Sequence, residues 1–199
     1  MQIFLETDRL WLRRFTAADG DNLFALDNDP AVMRFLNGGL PTPRAVIERD
    51  FLPLILGYYE RFAGYGFWAV IEKATGAFLG WFSFRPRDEA HPGVVELGYR
   101  LSRAAWGQGY ATEGARALID HGFTVLVVEH VYATTYQDNL ASRRVMEKAG
   151  MMLVRAYRLT PSDLAAKGSF HNPSDEVWDG DDVEYLLTKS DWERYKVMV

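Results

Sequence analysis

Apolar and polar positions alternate in several stretches of the chain, and this period of two is typical of half-buried strands. The first such stretch covers residues 3–13. The later ones, in chain order, are Phe67–Glu72, Phe78–Phe84, Val94–Ser102, His130–Tyr136, Leu153–Tyr157 and a closing run from Val183. The turn residues Ala74-Thr-Gly76 separate the first two of these later stretches, so those two are predicted to form a hairpin.

Helices are predicted between the strands. Thr16 and Asp19 give a capping-box pattern for a helix that runs through Leu23 and Leu26. Two further helices are expected to begin near Tyr110 and near Asn139, each after a strand. The predicted order is β-α-α-β-β-β-α-β-α-β-β, a mixed α/β sheet in one domain covering residues 1–199, but periodicity alone leaves the strand pairing open.

Turn residues and prolines place the second predicted helix. Asn37-Gly-Gly39 indicates a turn after the first helix. Thr42 is expected to cap the second helix with Pro43 at its first position, and Pro53 is expected to kink or break it. Late in the chain, Lys167–Glu176 indicates a surface loop and Asp175–Glu184 a solvated acidic connection.

The segment from Val94 to Gly114 carries the clearest functional signal. It predicts a buried strand, a short loop with Gly107 and Gly109, and a helix from about Tyr110. The glycines allow the backbone to turn its N–H groups inward, and the helix start adds unpaired N–H groups and a positive dipole end. Such a loop predicts a seat for a phosphate or pyrophosphate. The small and apolar residues of the helix share one side: Ala111, Ala115, Leu118 and Ile119.

Two well-known phosphate loops fit this segment poorly. A nucleotide-hydrolase loop ends in Gly-Lys-Ser/Thr, and no lysine stands there. A dinucleotide-binding loop needs a third glycine at the position of Thr112 and an acid at the end of the next strand, whereas Glu129 precedes that strand. A dinucleotide-dependent oxidoreductase is therefore a remote alternative.

The loop Trp106-Gly-Gln-Gly109-Tyr-Ala111 resembles the Gln/Arg-x-x-Gly-x-Gly/Ala pyrophosphate loop of the GNAT superfamily of N-acetyltransferases, with Trp in place of the first Gln or Arg. The longer segment Trp-Gly-Gln-Gly-Tyr-Ala-Thr-Glu resembles the corresponding sequence of the RimJ/RimL-type branch, whose members acetylate the N-termini of ribosomal proteins. A second match is Asn139-Leu-Ala-Ser142 with its Lys-Ala-Gly150-Met ending, where Phe is usual at Met151. The opening Leu5–Arg13 and the closing Val183–Trp192 also resemble that branch, so the resemblance spans nearly the whole chain.

The resemblance implies the GNAT fold, with a central, mostly antiparallel mixed sheet flanked by helices. It also implies acetyl-CoA as co-substrate and an amine acceptor (a protein N-terminus or a small molecule). The four histidines show no metal-ligand spacing, so no metal is expected. Backbone groups from Tyr99 to Leu101 would align the pantetheine arm, and Arg103, Arg143 and Arg144 would approach the 3′-phosphate, unless these arginines are simply solvated. The residues it assigns to cofactor binding are Tyr99, Leu101, Arg103, Gly107, Gln108, Gly109, Tyr110, Ala111, Thr112, Asn139, Ser142 and Arg143.

Two residues are candidates for catalysis. Glu96 lies in an apolar strand, where a carboxylate needs a partner or water. It either forms an ion pair with a cross-strand arginine or, as the resemblance implies, acts as the base that deprotonates the amine. Many GNAT enzymes protonate the departing thiolate with a tyrosine seven residues after the asparagine, but that position is Met146, which cannot donate a proton. Ser142 is the candidate substitute; water as the acid, with Ser142 as a helix-start hydroxyl, is the alternative. Asn139 is expected to cap its helix, to bond a pantetheine amide, or both.

Composition excludes several other classes of protein function. The net charge of −5 argues against nucleic-acid binding, and no signal peptide or membrane span is visible, so we expect a cytoplasmic protein. The chain has no cysteine, which excludes a cysteine acyl-enzyme and favours direct attack of the amine on the thioester. The rival hypothesis is an acyl-CoA-binding module with little or no catalysis. A homodimer is kept open.

Overall fold

The computed structural model describes residues 2–87, 91–158, 160 and 180–198. Eight strands form one sheet: β1 (Ile3–Glu6), β2 (Leu10–Arg13), β3 (Gly66–Glu72), β4 (Phe78–Pro86), β5 (Val94–Leu101), β6 (His130–Tyr136), β7 (Met152–Tyr157) and β8 (Asp182–Thr188). The α-helices are α1 (Gly20–Asp27), α2 (Pro30–Asn37), α3 (Arg44–Val46), α4 (Leu52–Arg61), α5 (Tyr110–Thr124), α6 (Leu140–Lys148) and α7 (Lys189–Met198). Short 3-10 turns cover Ala17–Asp19 and Arg103–Ala105, and a π-helical turn covers Ile47–Phe51.

The sheet runs in the order β1-β2-β3-β4-β5-β6-β8-β7, and every neighbouring pair is antiparallel except β5 with β6. That parallel pair is short, because its register ends at Glu96 opposite Tyr132. Beyond this point β5 continues alongside β4, while β6 continues alongside β8. The two middle strands therefore separate and leave a wedge between the second half of β5 and β6. The mixed α/β architecture with helices around a mostly antiparallel sheet confirms the predicted fold class.

Each face of the sheet covers its own apolar core. The larger core lies under α5 and α6 and includes Phe82 and Phe84, both fully buried. The smaller core lies under α1 and α4 and includes Phe67 and Trp81. Because side chains alternate along a strand, β4 contributes aromatic rings to both cores, and the sheet is held from both sides.

Helix α5 packs tightly on β4 through two glycines. A Cβ added at Gly114 would overlap the buried ring of Phe82, and one added at Gly122 would lie 2.6 Å from Cζ of Phe84. No real Cβ contact is that short, so only glycine allows the helix to approach the rings this closely. This packing fixes the start of α5 relative to the end of β5.

Several local predictions are wrong. Residues 3–13 form two strands, because the Thr7 N–H donates to the Leu10 carbonyl at 3.0 Å and closes a hairpin. Thr42 does not cap a helix; Pro43 holds the N-cap position of α3 and its carbonyl accepts from Val46. The short helix α2 was not predicted.

Pro53 does not break its helix. Residues 44–61 remain helical because the π-helical turn Ile47–Phe51 widens the chain just before the proline, and the Leu52 N–H donates to the Ile47 carbonyl. The wider turn accommodates a residue that has no N–H of its own. The capping box of Thr16 with Asp19 is confirmed.

The acidic segment is corrected in part. Asp182 is buried and begins β8, so the end of Asp175–Glu184 belongs to the sheet and is not a solvated connection. The predicted loop Lys167–Glu176 lies outside the described residues. Within the described ranges, no helix has the length and apolar character required to cross a membrane.

The glycine contact at α5 predicts a stability difference. Gly114→Ala should lower the free energy of unfolding by about 1–3 kcal/mol, because the added methyl group must displace the Phe82 ring. Gly57→Ala on α4 is the matched control, since a Cβ there meets nothing within 4 Å; it should stabilise the protein by about 0.4–1 kcal/mol. Urea denaturation followed by circular dichroism measures both. Equal effects of the two substitutions would contradict the packing argument.

Candidate active site

The loop between β5 and α5 has the conformation that its glycines predict. Gly107 and Gly109 have φ values of 73° and 82°, in the left-handed region, and α5 begins immediately afterwards at Tyr110. The first bond of the helix runs from the Glu113 N–H to the Gly109 carbonyl. The amides just before Glu113 therefore have no partner within the helix, and they stand at its positive dipole end. This geometry suits an anion.

The side chains of Trp106 and Gln108 in this loop bond to carbonyl groups that precede the loop. The Trp106 indole Nε1 donates to the Leu101 carbonyl at 2.8 Å, and Gln108 Nε2 donates to the Ala104 carbonyl at 2.6 Å. These bonds close the loop onto the 3-10 turn that precedes it. The loop thus presents main-chain groups, as the phosphate-seat prediction requires.

The wedge beside β5 exposes backbone groups of alternate residues. The Ser102 N–H donates to the Leu79 carbonyl of β4 at 2.8 Å. Because backbone groups alternate in direction along a strand, those of Tyr99 and Leu101 point away from β4, toward β6. Since β6 has separated from β5 there, an extended ligand could pair with this edge. The Leu101 carbonyl already accepts from Trp106, so its N–H is the group left for a ligand.

A hydroxyl pair connects β5 with α6 across this wedge. Tyr99 Oη lies 2.9 Å from Ser142 Oγ and donates to the Ser142 carbonyl oxygen at 3.0 Å. Burial raises the pKa of Tyr99 well above its ordinary value, so the phenol stays protonated at neutral pH. The Tyr99 side chain therefore holds Ser142 in place. The sequence predicts a binding role only for the Tyr99 backbone. Register and helix packing, which the sequence does not supply, bring the two together.

The start of α6 is held by its own polar residues. Asn139 is the N-cap: its Oδ1 accepts from the Ser142 N–H at 3.3 Å and its Nδ2 donates to Thr135 Oγ1 at 3.1 Å. Met146 is buried in the core beneath α6. The predicted cap role of Asn139 is thus confirmed, and the position where many GNAT enzymes carry tyrosine holds a buried thioether.

Two of the three arginines predicted to approach the 3′-phosphate, Arg143 and Arg103, differ in their surroundings. Arg143 Nε donates to Tyr185 Oη at 3.1 Å, and its Nη1 donates to the Gln137 carbonyl at 3.0 Å. The bond to Tyr185, followed by the nearby Glu147 and Asp138, raises the pKa of Arg143 above its ordinary value, so the guanidinium keeps its charge. Arg103 is 64% exposed, with its Nε 3.9 Å from Asp29 Oδ2. Arg143 is anchored to β8 and the β6–α6 turn, whereas Arg103 remains exposed near the start of α2.

Glu96 lies on the opposite face of β5 from the large core. Arg85 stands directly across from it on β4, and its Nη2 is 2.5 Å from Glu96 Oε2. The Arg85 guanidinium also lies over the Phe67 ring at 5.2 Å. The ion pair with a cross-strand arginine is therefore present, and a catalytic role of Glu96 stays a prediction. Tyr132 lies opposite Glu96 on the parallel strand β6. Burial of the Tyr132 phenol and, to a smaller extent, the nearby Glu96 carboxylate raise the pKa of Tyr132 to about 12.

A buried ion pair ties the α1–α2 junction to the end of β5. Arg100 Nη1 lies 2.5 Å from Asp27 Oδ1, with side chains only 12% and 4% exposed, and the guanidinium stacks over Trp81 at 5.1 Å. Sequence reasoning did not find this pair, because its partners are 73 positions apart in the chain. Among the described residues, no three metal-ligating side chains come together.

Comparisons with known proteins identify the family. Residues 9–152 match the family model described as an acetyltransferase (GNAT) domain. The chain is 37% identical over 157 residues to the uncharacterized protein YkkB of Bacillus subtilis, covering 77% of this chain and 88% of that protein. It is 29% identical over 198 residues to the FsC-acetyl coenzyme A-N(2)-transacetylase of Aspergillus fumigatus, covering 96% of this chain and 78% of that protein.

A solved structure agrees with the family match. The RimL ribosomal-protein α-N-acetyltransferase in complex with coenzyme A superposes with a TM-score of 0.73 at 17% identity, covering 94% of this chain and 98% of that one. At this identity the likeness shows the fold alone. The family match is decisive: the chain belongs to the GNAT acetyltransferases, a family that acetylates amines with acetyl-CoA. It is accordingly an acetyltransferase.

The hydroxyl pair predicts unequal effects of two substitutions. Tyr99→Phe removes the donor to the Ser142 carbonyl and should lower the free energy of unfolding by about 1–2 kcal/mol. Ser142→Ala leaves that bond in place and should cost less than about 0.5 kcal/mol. Thermal or urea denaturation compares the two variants with the wild type. If Ser142→Ala proves the more damaging, the carbonyl bond is not the main contact.

Proposed function

We propose that this acetyltransferase moves the acetyl group of acetyl-CoA to a primary amine, either a protein N-terminal α-amine or a small amine, in a ternary complex. The observation that carries this proposal is the left-handed pair Gly107 and Gly109 at the start of α5, beside the wedge where β5 leaves β6. The loop offers amides to a pyrophosphate, and the wedge offers a strand edge to an extended arm. The loop follows β5 closely in the sequence, so one ligand can contact both the loop amides and the free strand edge.

The cofactor fits this arrangement by charge and by shape. Gly107–Thr112 supplies the pyrophosphate seat, and the backbone of Tyr99 and Leu101 pairs with the pantetheine amides. The remaining contacts are assigned to Asn139, Ser142, Arg143 and Arg103. The unpaired amides at the start of α5 support the seat, whereas the anchored Arg143 and the exposed Arg103 support a phosphate contact only through their charge.

Transfer requires an amine without its proton, because an ammonium has no lone pair with which to attack a carbonyl. Glu96, held by Arg85, accepts that proton directly or through a water. The amine nitrogen then bonds the acetyl carbon, and a strand N–H near Leu101 stabilises the oxygen anion of the tetrahedral intermediate. Collapse of the intermediate breaks the carbon–sulfur bond and leaves a thiolate, while the nitrogen releases its second proton to water and becomes a neutral amide.

The thiolate recovers a proton from Ser142 Oγ–H or from water. Tyr99 supports the serine, because its phenol stays protonated and can donate to Ser142 Oγ as the serine gives up its own proton. Glu96 and Ser142 lie on opposite faces of β5, with the wedge between them. An acceptor can therefore enter from the α1–α2 side while the thioester lies on the α6 side.

The acceptor class rests on relatives. The Aspergillus fumigatus relative is named as an N(2)-transacetylase and the RimL neighbour as an α-N-acetyltransferase, so both names specify acetylation of nitrogen. Measuring CoA release with a panel of N-terminal peptides and small amines decides between the two acceptor types. A cytoplasmic location is proposed with this function.

A second candidate is an acyl-CoA-binding module that catalyses little or nothing. The buried Met146 favours it, because the thioether replaces a family acid with a group that carries no proton. Failure of the wild type to acetylate any amine in the panel, with retained acetyl-CoA binding, would support this candidate.

Binding of CoA should stabilise the protein. At about 100 times the Kd, CoA or acetyl-CoA should raise the free energy of unfolding by about 2.7 kcal/mol, and NAD should do much less. Gly109→Val should abolish this stabilisation, because a β-branched residue cannot easily hold φ near 82°. Gly76→Val is the matched control, with φ of 72° in the β3–β4 turn and open space around it. Thermal melting with and without ligand tests this; equal protection by NAD would contradict the assignment.

Glu96→Gln should retain acetyl-CoA binding but lower kcat/KM by about 10²–10⁴ near neutral pH, because the amide cannot accept the amine proton. Activity should recover partly as pH rises, since more of the amine is then already neutral; a free α-amine titrates near a pKa of about 7.7–8.0. Ser142→Ala should have a smaller effect, because water can replace the serine. Full activity of Glu96→Gln across the pH range would make Glu96 purely structural.

A further inference from the structure

The turn between β1 and β2 is hydrogen-bonded to the phosphate loop (Gly107–Thr112) and to the first turn of α5, although these segments are about a hundred residues apart in sequence. Arg9 Nε donates to Glu113 Oε2 at 2.6 Å, and the Arg9 backbone N–H donates to Glu113 Oε1 at 3.0 Å. Thr7 Oγ1 donates to the same Oε1 at 2.6 Å. Arg9 Nη1 also donates to the carbonyl of Gln108, within the loop, at 3.0 Å. One arginine thus contacts both the loop and the first turn of α5.

Glu113 creates an electrostatic difficulty for an anion site. Its carboxylate lies in the first turn of α5, where it complements the helix dipole but repels any phosphate bound at the same end. Burial opposes its ionisation, but the bonds from Thr7 and Arg9 hold the pKa of Glu113 below its ordinary value, so it is charged at neutral pH. Without a cation beside it, this charge would weaken phosphate binding.

Arg9 also determines the direction of a main-chain group. In a trans peptide the carbonyl of one residue and the N–H of the next point in opposite directions. The Gln108 carbonyl is turned toward Arg9, so the Gly109 N–H points away from Arg9. The guanidinium lies over the Tyr110 ring at 4.4 Å, and the Tyr110 hydroxyl donates to Glu72 on β3. These contacts attach the loop to the rigid sheet on one side and leave its other side to a ligand.

We infer that Arg9 is a positioning residue for CoA: it neutralises Glu113 and fixes the Gln108–Gly109 peptide so that the loop can hold the pyrophosphate. The inference rests on the proposed function, since it assigns a task within that site. It also gives a role to the opening segment Leu5–Arg13, to which neither catalysis nor cofactor contact had been assigned.

The test is the Kd of CoA, measured by calorimetry on the full chain. Arg9→Ala should weaken binding about tenfold, which corresponds to about 1.4 kcal/mol. The double variant Arg9→Ala/Glu113→Gln should bind at least about threefold more tightly than Arg9→Ala, because no unpaired carboxylate then faces the phosphates. Arg14→Ala is the matched control: it lies on the same hairpin, stacks over Tyr59 at 4.8 Å and should leave the Kd unchanged.

Two further measurements separate this role from a general loss of structure. In steady-state kinetics Arg9→Ala should raise the KM for acetyl-CoA and leave kcat and the acceptor KM unchanged. The weakening should be equally large with 3′-dephospho-CoA, because Arg9 acts at the pyrophosphate loop. Arg9→Lys, which keeps the charge but lacks the guanidinium fork, should lie between the wild type and Arg9→Ala, and it serves if Arg9→Ala does not fold.

The outcomes that overturn the inference are distinct from those that overturn the proposed function. A wild type that does not bind CoA refutes the function. A wild type that binds CoA, with Arg9→Ala binding equally well or with no recovery in the double variant, refutes the role of Arg9. An effect that disappears with 3′-dephospho-CoA assigns Arg9 to the 3′-phosphate instead and refutes it as well.

Discussion

The parallel pairing of β5 with β6 ends at Glu96 and Tyr132, and the candidate site depends on this early end. A strand that leaves its neighbour exposes a row of backbone groups, which in a continuous sheet would be paired. Here the row belongs to the second half of β5, and it ends at the phosphate loop. The antiparallel partners β4 and β8 hold the two strands in their separated positions. The wedge is therefore part of the sheet and does not require a moving segment.

The walls of the wedge are fixed by contacts of different kinds. On the side of α5, two glycines bring the helix against the rings of Phe82 and Phe84, and the Arg9–Glu113 pair attaches its first turn to the β1–β2 hairpin. On the side of α6, Tyr99 bonds to Ser142. A phosphate seat made from backbone amides needs this kind of support, because amides stabilise an anion only if their directions are set in advance.

The two catalytic candidates lie on opposite faces of one strand, and their surroundings differ in polarity. Glu96 is paired with Arg85 and remains partly exposed, as suits a group that exchanges protons with an incoming amine. Ser142 faces a buried phenol, which can stabilise a hydroxyl that gives up its proton. The ion pair Arg100–Asp27 closes the far end of the strand and places the α1–α2 junction beside the acceptor side. A single strand thus organises both halves of the proposed reaction.

Features that depend on local chemistry could be predicted from the sequence. The strand alternation, the mixed α/β class, the left-handed glycines of the loop and the Asn139 cap follow from periodicity, steric freedom and short-range hydrogen bonds, and the GNAT family follows from the motifs. The end of the β5–β6 pairing and the partners of Glu96, Tyr99 and Glu113 emerged only in the folded structure. Those partners lie on other strands and helices, and their choice depends on register and packing, which no local pattern encodes. The helix through Pro53 also needed the structure, since a proline signals a break whereas a π-helical turn can absorb it.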